Sequence, residues 1–250
     1  MKNTSNKAAC ERLIFALDAS SYDDALEWLD LLSGHVGMFK VGKELFTAAG
    51  PDIVRAIKER GQKVFLDLKY HDIPNTVARA AEAAVHLGVD MFNVHASGGI
   101  PMIRESVVAS AACCEQLNKQ KPIILAVTVL TSLNDDDLKA IGFSMGVKDL
   151  VVRLAKMAQE AGASGVVASP LDVSSIREHC GKKFIIVTPG IRGPDERNRD
   201  DQKRTLSAAE AIKAGADYLV VGRPIRRARD PLEACARMID EIAAGMRAAS

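Results

Sequence analysis

The chain has 250 residues, a formal net charge of +1, and 48% hydrophobic and 26% charged residues. This is ordinary globular composition, at a length that one or two domains fill and that supports a core without disulfides or metals. The near-zero charge without a basic run argues against nucleic acid or a membrane surface as partner, and five cysteines without a CxxC spacing, Cys10, Cys113, Cys114, Cys180 and Cys235, argue against a disulfide framework or zinc site and for a reducing, cytoplasmic setting.

In chain order, residues 1–10 are polar, carry two lysines and read as a flexible tail, with no apolar block behind them to make a signal peptide. No apolar run reaches the ~20 residues that span a bilayer. Arg12–Asp18 is the first strand, followed by a helix with Ser21 as N-cap and Asp23 and Asp24 in its first turn. Met38–Gly42 is the second strand, and the next helix starts near Pro51. Lys63–Lys69 is the third strand, with Ile73–Leu87 as its helix. Met91–Ala96, Pro122–Thr128, Gly165–Ser169, Phe184–Thr188 and Tyr218–Gly222 are the remaining strands, and Pro231–Met246 is the last helix. Gly61, Gly88, Gly162 and Gly215 stand where helices stop ahead of a strand. Near-continuously apolar strands are those covered on both faces. Eight strand–helix units fit a closed (β/α)8 barrel, one catalytic domain over residues 11–250, better than the alternative of an open sheet.

In such a barrel, chemistry sits at the C-terminal ends of the strands. Asp18 ends the first strand, Lys40 lies within the second, Asp67 and Lys69 end the third, Thr128 the fifth and Arg223 the eighth. A charge inside an apolar strand is costly unless paired, so Lys40, Asp67 and Lys69 call for one another. Asp67 and Lys69 are two apart and face the same side, with Leu66 and Leu68 facing the helices. Asp72 follows in the loop. A lone Asp–Lys pair is more often structural than catalytic; with Lys40 and Asp18 aimed at the same opening, a catalytic set is the better account.

A second constellation closes the barrel. Pro189-Gly190-Ile191-Arg192 ends the seventh strand, the polar stretch Gly193–Arg204 has the length and charge of a lid, and Gly222-Arg223 ends the eighth. Loops after the last two barrel strands commonly hold a phosphate, by backbone N–H groups and an arginine. His95 is either a catalytic base or a satisfied core histidine, and His71 has no identified task. Gly98-Gly99 looks like turn chemistry. No HExxH spacing, GxGxxG or P-loop is present.

These residues resemble a known family, the bacterial orotidine 5′-phosphate decarboxylases of pyrimidine nucleotide synthesis. The segment DxKxHDIPN, here Asp67 to Asn75, is the most specific match. Ala16-Leu17-Asp18, Phe39 to Gly42, Asn93 to Ala96, Ala126 to Ser132, Thr188 to Arg192, Asp201-Gln202 and Val220 to Arg223 support it. The resemblance implies that Lys69 protonates C6 of the pyrimidine, with Asp67, Lys40 and Asp72 completing its charged network. It implies that Asp18 and Lys40 contact the ribose, Thr131 lies near the base and Pro189 packs on the ring. Gln202, Gly222 and Arg223 would hold the phosphate, with Arg192 nearby. It further implies a homodimer in which Asp72, Ile73 and Thr76 reach the partner's site.

Loss of CO2 from C6 leaves an electron pair on a carbon without the sink that a cofactor normally supplies. A fixed ammonium beside C6 stabilises that charge and then quenches it, so no cofactor and no metal is expected. Two other readings remain. One is a magnesium-dependent decarboxylase similar to those of 3-keto-L-gulonate 6-phosphate, which share the DxKxxD logic. The other is a non-catalytic nucleotide-binding barrel, against which the intact charged set argues.

Overall fold

The computed structural model describes residues 2–191 and 206–249. Arg192, Asp201, Gln202 and the stretch read as a lid lie outside them.

Eight parallel strands close into one barrel in sequence order. They are β1 (Leu13–Ala16), β2 (Met38–Gly42), β3 (Val64–Tyr70), β4 (Met91–His95), β5 (Ile123–Val127), β6 (Gly165–Val167), β7 (Ile185–Thr188) and β8 (Tyr218–Val221). Alternation along each strand separates two apolar layers. Ile14, Met38, Phe65, Met91, Leu125 and Val187 fill the barrel interior. Their neighbours, among them Leu13, Phe39, Leu66 and Phe92, face outward and bury the helices. Coverage on both faces is why these segments read as unbroken apolar runs.

The helices are α1 (Lys2–Cys10), α2 (Tyr22–Leu32), α3 (Lys43–Ala49), α4 (Asp52–Glu59), α5 (Pro74–Leu87), α6 (Gly99–Leu117), α7 (Asp135–Ala140), α8 (Val147–Glu160), α9 (Val173–Cys180), α10 (Ala208–Ala214), α11 (Arg223–Arg226) and α12 (Pro231–Ala249). Ser21 caps α2 as its sequence suggests, its side chain accepting from the Asp24 N–H.

Three local expectations are corrected. The stretch expected as a tail forms α1 from Lys2 to Cys10 along α12, because the small Ala8-Ala9-Cys10 run brings the last turn close and Ala9 is fully buried. Asp18 lies beyond the end of β1, in the loop that follows. Arg223 opens the short helix α11 instead of ending β8, since Pro224 fits a first helical turn.

A repeated device sets the lower rim. Gly88, Gly162 and Gly215 each take a positive φ where a helix ends, and two residues later comes Asp90, Ser164 or Asp217. Each of those side chains accepts a backbone N–H from the first or second residue of the preceding strand: Val64 to Asp90 Oδ2 at 2.8 Å, Ile124 to Ser164 Oγ at 3.1 Å, Ile186 to Asp217 Oδ2 at 2.8 Å. Each also returns its own N–H to the carbonyl of that same residue. Asp90 and Asp217 are further paired with Lys58 and Arg177. Arg177 in turn donates to the carbonyls of Gly215 and Phe184, tying α9 to the starts of β7 and β8.

Asp217→Ala removes an ionic acceptor and strands the Ile186 N–H, so it is expected to lower the unfolding free energy by about 2–3 kcal/mol. Ser164→Ala removes a neutral bond and should cost about 1 kcal/mol. Urea denaturation of both variants checks the order; equal losses would contradict it.

Candidate active site

The upper rim carries the charges. Lys40 is on the interior face of β2, two residues above Met38, and is 9% exposed. Such a lysine needs compensation, and finds it on both sides. Its Nζ lies 3.3 Å from Asp18 Oδ1 and 3.3 Å from Asp67 Oδ2. Asp67 is also buried, and its other oxygen takes the Lys69 Nζ at 2.6 Å and the Asn93 Nδ2 at 2.7 Å. Four alternating charges, Asp18, Lys40, Asp67 and Lys69, thus run across three neighbouring elements. Gly42 leaves room for them, because a Cβ there would stand 3.1 Å from the Lys40 Nζ.

Protonation follows from these neighbours. Burial alone would lower the Lys40 pKa, but the carboxylates of Asp67 and Asp18 outweigh it and the pKa is raised. Burial alone would raise the Asp67 pKa, but Lys40 and Lys69 overcome it and hold the carboxyl below the usual range. Both groups are therefore ionised across the physiological range.

Asp67 and Lys69 come together as their spacing suggests, but not on a regular strand. The register of β3 against β4 jumps, from Leu66 opposite Phe92 to Tyr70 opposite Val94. Lys69 sits in this irregularity with φ of 53°. Leu66 and Leu68 do face the helices.

A cavity of ≈ 250 Å³ opens at this rim, and Asp18, Lys40, Asp67 and Lys69 line one part of it. Thr131, Pro189, Gly222 and Arg223 line the rest. Eight of the positions singled out in the sequence therefore share one space. Asp72, Ile73 and Thr76 do not: all three are exposed, and Asp72 Oδ1 accepts the Ile73 N–H at the start of α5. Thr128 turns away from the cavity, its hydroxyl donating to the Val167 carbonyl. An isolated bridge joins Ile191 to Leu206, so both flanks of the 192–205 segment stand beside Pro189 and Gly190 at the cavity.

Two contributors were not singled out. Asn93 is polar and fully buried, inside a strand; that placement alone is a usable signal. Arg226 donates to the Asp18 carbonyl and stacks 5.7 Å above the Trp28 ring, fixing the loop that presents Asp18. Only the fold brings those three together. His95 is part-buried, its ring centroid 5.2 Å from that of His71 and tilted by 38° to it. Among the described residues no three His, Cys, Asp or Glu side chains gather as a metal site, and no helix is long and apolar enough to cross a membrane.

Known proteins resemble this chain over nearly its whole length. A family model described as orotidine 5′-phosphate decarboxylase / HUMPS family matches residues 11–238. An orotidine 5′-phosphate decarboxylase of Syntrophus aciditrophicus is 58% identical, over 99% of either chain. One of Trichlorobacter lovleyi is 54% identical, over 96% of this chain and 98% of the other. Among solved structures, the orotidine 5′-phosphate decarboxylase of Lactobacillus acidophilus has a TM-score of 0.82 and 38% identity, covering 92% of this chain and 98% of that one.

His95 yields a test of this electrostatic picture. Burial, then the charges of His71, Lys43 and Lys69 against that of Asp67, push its pKa down to about 4. An unfolded histidine titrates near ~6.5. Between those values the unfolded chain binds a proton that the folded chain refuses, so stability is full above pH ~6.5 and falls as pH drops toward 4. His95→Gln should flatten the decline over that window in denaturation curves taken at stepped pH. Parallel curves for wild type and variant would contradict the assignment.

Proposed function

The chain belongs to the orotidine 5′-phosphate decarboxylase / HUMPS family, and on that premise we propose that it is a carboxy-lyase converting orotidine 5′-phosphate to uridine 5′-phosphate in pyrimidine nucleotide synthesis. One observation carries this reading. A single cavity holds a lysine salt-bridged to a buried carboxylate, and also an arginine beside a glycine after the last strand.

In this proposal the substrate phosphate rests on Arg223 and the Gly222 backbone, with Gln202 and Arg192 assisting. The ribose hydroxyls meet Asp18 and Lys40. The base lies on Pro189 near Thr131, which turns C6 toward Lys69. The C6–carboxyl bond breaks, CO2 departs and the electron pair stays on C6. The Lys69 ammonium, held in place by Asp67, stabilises that pair and transfers a proton to C6. Lys69 then regains its proton from water. Preorganised charge in a small chamber does the work for which other decarboxylases use a cofactor. Phosphate binding remote from C6 aligns the reacting atoms and so contributes to the barrier, not only to affinity.

We further propose a homodimer with sites at its interface. Asp72, Ile73 and Thr76 stand outside their own cavity, and Ile73 is 66% exposed at the start of α5. A two-fold pairing through this rim would carry Asp72 to the partner's Lys69. Five free thiols suit a reducing cytoplasm.

The experiment is a spectrophotometric assay of orotidine 5′-phosphate loss in the presence of EDTA. Wild type is expected to turn over, and Lys69→Ala to lose at least ~10³-fold in kcat, as when a group acting in the transition state is removed. Activity that needs added magnesium would favour the sugar-phosphate reading, and folded but inactive wild type would favour plain nucleotide binding. Mixing inactive Lys69→Ala and Asp72→Ala chains should restore about a quarter of wild-type activity once subunits exchange, because half the dimers then hold one intact site. No recovery after proven exchange would rule out the shared site.

A further inference from the structure

The geometry points to Asn93 as a positioning residue for this reaction: one carboxamide fixes both the Asp67 carboxylate and the backbone of Lys69. The inference rests on the decarboxylase reading for its kinetic part and on the structure alone for its contacts.

Asn93 lies in the middle of β4, on the same face as Met91 in the barrel interior, and is wholly buried. Its Nδ2 donates to Asp67 Oδ1 at 2.7 Å, and its Oδ1 accepts the Lys69 N–H at 2.8 Å. The amide orientation is dictated by chemistry. A backbone N–H can only donate and an ionised carboxylate can only accept, so the side chain between them must do both. Asparagine has that pair of groups at this reach. Aspartate keeps the acceptor but sets a second carboxylate against Asp67. Leucine keeps the volume and offers neither bond.

The Lys69 backbone needs such an anchor. Among the described residues only Lys69 and Asn118 are non-glycines with positive φ. Asn118 is a helix C-cap, where asparagine commonly adopts this conformation. Lysine has no such excuse, and a non-glycine in the left-handed region costs roughly 1 kcal/mol or more. It occurs where the β3–β4 register jumps, and Asn93 stands at that jump.

The bonds form a closed circuit. Asn93 holds the Lys69 backbone, the Lys69 Nζ holds Asp67 Oδ1 at 2.6 Å, and Asp67 Oδ1 returns to Asn93. A lysine side chain has a flexible four-carbon stem. Here both of its ends are tied, directly or through Asp67, to one rigid strand residue. Asn93 does not line the cavity, so it acts on the reacting atoms only through Lys69 and Asp67.

The test compares wild type, Asn93→Leu and Asn93→Asp. It uses steady-state kinetics with orotidine 5′-phosphate and NMR-detected exchange of backbone amides. Asn93→Leu is expected to lose about 100-fold in kcat, the scale of a misplaced catalytic group, with KM within about threefold of wild type. The Lys69 amide should exchange faster while amides in β1, β5 and β7 keep their protection. Asn93→Asp should keep the Lys69 amide protected and still lose kcat, because its carboxylate repels Asp67. Asn93→Leu with wild-type kcat and a protected Lys69 amide would overturn the inference, since packing alone would then suffice. Loss of protection throughout the barrel would overturn it also, by reducing Asn93 to a general structural residue. Were wild type inactive, the decarboxylase reading would fall while the Lys69 amide in the two variants still decided whether the carboxamide holds it.

Discussion

One buried carboxylate, that of Asp67, lets two ammonium groups share the mouth of this barrel. Neighbouring strands β2 and β3 bring Lys40 and Lys69 into a space where an uncompensated charge is not tolerated. Asp67 gives one oxygen to each. With Asp18 at the outer end, the set alternates in sign and sums to zero. Lys40 and Asp67 are the buried members, and removing one of them leaves the other a naked buried charge, at about 3–5 kcal/mol. The same compactness is what makes the arrangement useful chemically: charges fixed in a low-dielectric setting act strongly on a nearby reacting carbon and need no reorganisation.

The barrel divides its labour along the strand axis. At the starts of β3, β5 and β7, Asp90, Ser164 and Asp217 fasten neighbouring strands to each other. At the ends of β2 and β3, the carboxylates and lysines face a cavity instead. An aspartate at a strand start here clamps two strands together, and one at a strand end lines the candidate site. This is the usual polarity of the fold, and here it sorts chemically identical residues into different tasks.

Much of this was legible in the sequence because the barrel leaves strong marks. Strands buried on both faces cannot hide a lysine, so Lys40 announced a partner before any partner was visible. The glycines closing the helices gave the βα period. What escaped was local. The left-handed backbone at Lys69 depends on a register jump between two strands, and no single segment encodes that. The clamp side chains two residues after Gly88, Gly162 and Gly215 looked like ordinary polar positions, since their acceptor role appears only once the preceding strand lies alongside. Helix α1 was missed because a run of small residues looks like a tail until α12 stands beside it. Arg192 and Gln202, expected at the phosphate, fall outside the described residues, so of the phosphate positions read in the sequence the structure brings Gly222 and Arg223 to the cavity.

A crystal structure of this protein with uridine 5′-phosphate tests the central claim most directly, namely that the Asp67-anchored lysine is the reacting group and the β8 end is the anchor. The account predicts pyrimidine C6 within about 3.5 Å of the Lys69 Nζ, a reactive contact distance, with phosphate oxygens on Arg223 and the Gly222 backbone. A phosphate seated between Lys40 and Lys69, with the base turned toward Arg223, would contradict it.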